Sequence, residues 1–281
     1  MIVRRHVVLA LAFLLCMTGG AAAQSASAPA PAEALPMGEG TYLDLVERVI
    51  AGITLENGRF SGGALPAGIR HIDGGDAQAI RLAPTGFLRL ASVPMLSGGK
   101  DRLALLIDLG ATEDDLGFSV LALFDIAGAP RLLDAANVAF DRSTSFLEPA
   151  RLPLGTGSDL LVTQSTHHNS SQGYAITALI LLRDDQLALV DAIDTLSERG
   201  CGFERRQEVS LRTGGGEPLA DIVAVVSERT TLTAEDCGGA VAVAPGERIF
   251  TVTYRWDAAA QRYQPDSEAF TRLARENEAR F

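Results

Sequence analysis

Basic residues are scarce: 24 Lys and Arg stand against 35 Asp and Glu in 281 residues, a formal net charge of −11, and Lys100 is the sole lysine. Binding duplex nucleic acid relies on protein cations to displace condensed counterions, so this balance argues against such a partner. Aromatics are few as well, at 6%, but an apolar content of 47% suffices for one large core or two small ones and excludes a disordered or collagen-like chain. After residue 23 no stretch holds eighteen uninterrupted apolar residues, so no transmembrane helix is expected in the mature chain. Also missing are a G-x-S-x-G elbow, an H-E-x-x-H pair, a G-x-x-x-x-G-K-[ST] loop and a G-x-G-x-x-G between strand and helix. Ser97-Gly98-Gly99-Lys100 fits the S-x-x-K string of penicillin-recognising enzymes, but its glycines turn into a strand rather than open a helix, and no second lysine is available.

The amino terminus carries an address. Arg4 and Arg5 precede the apolar run Val7 to Met17, and Ala21-Ala22-Ala23 supplies the small residues of a cleavage site. These are the three parts of a secretory signal peptide, residues 1–23, and they predict a periplasmic or secreted protein. Cleavage removes Arg4 and Arg5 and no acid, taking −11 to −13. Cys201 and Cys237 then remain in an oxidising compartment, where one disulfide across 35 intervening residues is expected. No C-x-x-C spacing or adjacent histidine favours a redox or metal role for them.

Residues 24–38 are rich in Ala, Pro and Ser and are expected to form a disordered tether. A single β-rich domain is expected over 39–281, with a short helix at each end. The first helix follows Thr41, with Leu43, Val46, Val49, Ile50 and Ile53 at spacings of three and four, and is expected to end before Asn57-Gly58. The second follows Pro265-Asp266 and carries Phe270 and Leu273. Between them, short apolar runs are divided by Gly, Asp and Pro, which is the strand signal. Three segments, near 87–138, 150–196 and 207–264, share one order: strand, glycine loop, strand, polar loop, strand, tight turn, strand. The expected fold is therefore all-β, built of repeated four-stranded antiparallel meanders in a propeller-like or open stack, with a β-sandwich as the alternative. Gln186 to Leu196 can also be read as a helix.

Stacked units would bring equivalent loops to one rim, where their polar residues would gather. The middle unit offers His167, His168 and Asn169; the first offers Glu113, Asp114 and Asp115; the third offers Glu235 and Asp236 beside Cys237. Imidazole with several carboxylates suits a divalent cation, with His167 and His168 as the candidate ligands. Adjacent residues in extended backbone point to opposite sides, however, so one histidine alone is expected to face any given site. The leading expectation is a non-enzymatic exported module, with no obligatory cofactor, that binds an envelope protein, a glycan or a small ligand through this rim. The alternative is a metal-assisted hydrolase using His167 or His168 with the acidic loops.

Overall fold

The computed structural model of the protein describes residues 25–56, 59–64, 68–75, 89–111, 117–214, 218–235, 238 and 243–280. Helix α1 (Tyr42–Val49) begins where expected. The Thr41 side chain accepts from the Asp44 amide and Asp44 reaches back to the Thr41 amide, a reciprocal capping box. It stops earlier than its apolar spacing suggests, because Gly52 adopts a left-handed φ of 76°, a helix-ending conformation. Ile53 consequently lies in a strand, β1 (Ala51–Glu56), hairpinned with β2 (Arg59–Ala64).

The first expected unit forms as drawn: β3 (Arg89–Ser97), β4 (Lys100–Ala111), β5 (Gly117–Asp125) and β6 (Arg131–Asn137) make a four-stranded antiparallel meander. The other two units do not form separate sheets. A second, eight-stranded antiparallel sheet runs in chain order from β7 (Ser143–Pro153) through β8 (Asp159–His168), β9 (Gln172–Arg183), β10 (Gln186–Gly200), β11 (Phe203–Thr213), β12 (Ile222–Leu232) and β13 (Gly246–Asp257) to β14 (Arg262–Pro265). The chain is thus all-β with two short helices, and the propeller-like stack is not what forms. The units fuse because β10 turns tightly into β11, pairing Gly200 with Phe203 and Glu198 with Arg205. A Cβ at Gly200 would overlap the Phe203 ring, so a larger residue there would displace that ring. Gln186–Gly200 is strand throughout, not helix.

Three apolar clusters hold the layers. In β4, Leu105 faces α1 in one cluster while Leu106 meets Ile180 and Leu182 of the large sheet in another. A run apolar on both faces is thereby explained by cover on both sides. The third cluster joins Val162 and Leu179 to Val226, Tyr254 and the last helix, α2 (Ala269–Glu278), which contributes Phe270 and Leu273. Arg102, buried on β4, grips Asp185 in the β9–β10 turn through Nε at 2.8 Å and Nη2 at 3.0 Å, fixing one sheet to the other.

The tether expected to be disordered is instead held from residue 25 onward. Ser27 forms a backbone bridge with Ser92 on the edge of β3, the Ala26 amide donates to Glu148, and Leu35 is buried in the first cluster. Ser and Ala residues suffice for this, because main-chain pairing to an open strand edge needs no bulky side chain.

Candidate functional site

One extra residue in β10 creates the site. The β9–β10 ladder pairs Ile180 with Leu189 but Leu179 with Asp191, leaving Val190 as a bulge. Directly opposed residues share a face of the sheet, and a bulge reverses the alternation beyond it. Leu187 and Leu189 accordingly face the small sheet, whereas Ile193 joins the third cluster. Asp194 is thereby brought opposite Ile176, and Leu196 opposite Tyr174. Tyr174 in turn stands opposite His167. His167, Tyr174, Ile176, Asp194 and Leu196 thus occupy one face, beyond the part that the small sheet covers.

Helix α2 walls the opening. Beyond Glu198–Arg205 the β10–β11 ladder stops, and the Gln207 side chain takes its place, accepting from the Leu196 amide at 2.9 Å. Asn277 of α2 exchanges two 2.9 Å hydrogen bonds with the same Gln207 amide and donates to the Asp194 carbonyl. Gln207 also donates to Glu228, which Arg248 and Arg280 both pair with, at 2.7 and 3.0 Å. Burial alone would raise the Glu228 carboxyl, but these partners hold it down to about 2. The helix buries Phe270, Leu273 and Asn277, and the stripe Thr271, Ala274, Arg275 and Glu278, one and two turns apart, lines the cleft.

The result is a cleft of about 490 Å³ between β8–β10 and α2. Asp141, from the β6–β7 connection, accepts at 3.1 Å from His167 Nδ1, and the Tyr174 ring lies 5.0 Å from the imidazole, centroid to centroid. Such a pair fixes the ring and directs Nε2 away from the carboxylate. Asp194 differs from Asp141, for its carboxyl has no hydrogen-bond or ion-pair partner among the described residues. Burial, with Asp191 as a second cause, pushes its pKa up from the usual carboxylate range. Burial likewise raises the Tyr174 phenol.

The two histidines part company. His168 is exposed, its ring over Gly173, where a Cβ would come within 2.7 Å of Nδ1. It lines a separate cavity of about 430 Å³ with Gln164, Thr166 and Gln207. A single ion therefore cannot take both imidazoles as ligands, and among the described residues no three His, Cys, Asp or Glu side chains gather to hold a metal. Asn169 shapes the β8–β9 turn, accepting from the Ser171 and Gln172 amides. Glu235 accepts from the Gly202 amide. Glu113, Asp114, Asp115, Asp236 and Cys237 lie outside the described residues. Cys201 is disulfide-bonded.

The β8–β9 turn, the β10–β11 turn and the end of β12 lie together at one end of the large sheet, while the Glu113–Asp115 loop of the expected rim lies outside the described residues. The Arg199 amide donates to the Ser171 carbonyl and the Thr233 amide to the Gly202 carbonyl. In an antiparallel meander alternate connections leave at the same end, which brings the β8–β9, β10–β11 and β12–β13 turns into a row. Sequence reasoning missed Asp141, Tyr174 and Asp194, and it placed α2 as a packing helix without its role as a wall of the cleft. A lone Asp, a strand Tyr and a strand Asp carry no motif, and the bulge that aims Asp194 is invisible in apolar alternation. Comparison with protein-family models, curated proteins and solved structures finds no match to this chain.

Proposed function

We propose that the protein is an exported, non-enzymatic binding module that holds a small ligand in the cleft between β8–β10 and α2. The observation that carries this reading is a cleft with a few placed polar groups: His167, oriented by Asp141, and Asp194 both line it, with Ile176, Leu196 and Ala274 around them. Binding sites of this kind are concave and mostly apolar, with a few placed polar groups. The leader at residues 1–23 supports export, and no helix among the described residues is long and apolar enough to cross a membrane.

A thermal-shift screen of mature protein against amines, sugars, nucleotides, peptidoglycan fragments and metals tests the reading, because selective binding to the native state raises Tm. Hits are expected to disappear in Ala274→Trp, which fills the cleft, and to weaken in His167→Ala. Hits that survive both substitutions would move the site elsewhere. A hydrolytic reading draws on the same Asp141–His167 pair, which has the form of an oriented general base. It predicts turnover of ester, glycoside or phosphoester substrates that is lost in His167→Ala.

A further inference from the structure

We infer that the ligand of this cleft is a small organic cation, an ammonium group on an apolar body, with Asp194 as its counter-ion. The inference rests on the cleft being the binding site and adds the chemistry of its occupant. Asp141 already has a hydrogen-bond partner in His167, at 3.1 Å, which holds both side chains in place. The Asp194 carboxyl has no hydrogen-bond or ion-pair partner among the described residues, and its backbone is fixed through the Asn277 bond to its carbonyl. A half-buried carboxylate without a partner keeps part of its desolvation cost, and an ammonium is a group that relieves this cost while accepting its field. Burial raising the Asp194 pKa agrees with a site awaiting a positive charge.

The remaining charges do not change this sign. Arg275 and Glu278 sit on the exposed lip of α2 and oppose each other; solvated charges of this kind contribute little. Asp191, behind Asp194, accepts from the Tyr254 hydroxyl at 2.6 Å and adds negative potential. An anionic ligand would meet Asp141, Asp194 and that potential together. A neutral polyhydroxylated ligand could donate hydroxyl hydrogen bonds to Asp194 but would leave its charge unneutralised beside Ile176, Leu196 and Ala274. The net negative charge of the chain also draws cations toward it.

The test is calorimetry of mature protein with three probes of similar shape: phenethylamine, phenethyl alcohol and hydrocinnamate. Phenethylamine is expected to bind, with the alcohol at least tenfold weaker and hydrocinnamate weaker still. Asp194→Asn, an isosteric change, is expected to weaken the amine about tenfold and leave the alcohol unchanged, while Ala274→Trp abolishes both; melting curves of the variants confirm that they fold. Alcohol or hydrocinnamate binding as tightly as the amine, yet still abolished by Ala274→Trp, overturns the cation while leaving the cleft in place. Amine binding that survives both substitutions overturns the cation and the cleft together. No binding of any probe overturns the ammonium inference, and the fate of the cleft is then read from the broader screen.

Discussion

Two acids show how surroundings set a side chain's role. Glu228 is buried with three partners and held down to about 2, so its contribution is present above about 4.5 and is lost as pH falls toward 2. Glu228→Gln is expected to destabilise the protein by roughly 3 kcal/mol at neutral pH, since Arg248 and Arg280 lose their shared counter-charge. Urea denaturation should show that gap closing between pH 4.5 and 2. Asp194 runs the other way. Its folded pKa is raised, so its ionised form weighs against the native state once pH passes that value. Asp194→Asn is therefore expected to raise Tm at pH 7 and to leave it unchanged at pH 3, in the absence of ligand. Neither environment could be read from sequence, because both acids sit in strands between ordinary apolar and polar neighbours.

At the scale of elements, α2 is more than the end cap its apolar spacing suggests. Phe270 and Leu273 were legible as its packing face, and the helix was correctly placed after Asp266. What the pattern could not reveal is that Asn277 replaces a missing stretch of β10–β11 ladder through Gln207. Asn277→Ala leaves the Gln207 amide short of two partners and is expected to cost about 2 kcal/mol. It should also weaken cleft ligands, since the wall stripe moves with the helix; urea melts and calorimetry on one sample check both. The meander order was equally legible from glycines and tight turns, because each hairpin is local. Whether neighbouring meanders stack or fuse depends on a two-residue turn at Cys201-Gly202, and a repeat reading cannot separate those outcomes.

For the molecule as a whole, the fused sheet places the loop row, the cleft and the last helix on one body, with the small sheet held by Arg102 and Asp185. The Gly202 amide, next to Cys201 in the chain, donates to the Glu235 side chain, and the one-disulfide expectation is tested by thiol titration. The mature, unreduced protein is expected to show no titratable thiol. Reduction should lower stability by roughly 3 to 4 kcal/mol in the chain-entropy picture, measured by denaturation with and without reductant. Mass analysis of the exported chain is expected to place its start near Gln24, as the leader requires.

By itself the sequence determined the all-β class, the capped first helix and most strand positions. Those depend on composition, on apolar alternation and on residues within a few positions of one another. Only the tertiary structure decided that His167 meets Asp141 across 26 positions, that His168 turns away, and that Asp194 faces the cleft. The physical reason lies in the Val190 bulge and the splay of β10 from β11. Each reverses or redirects a face without altering the apolar rhythm, so its effect exists only once neighbouring strands and α2 are in place.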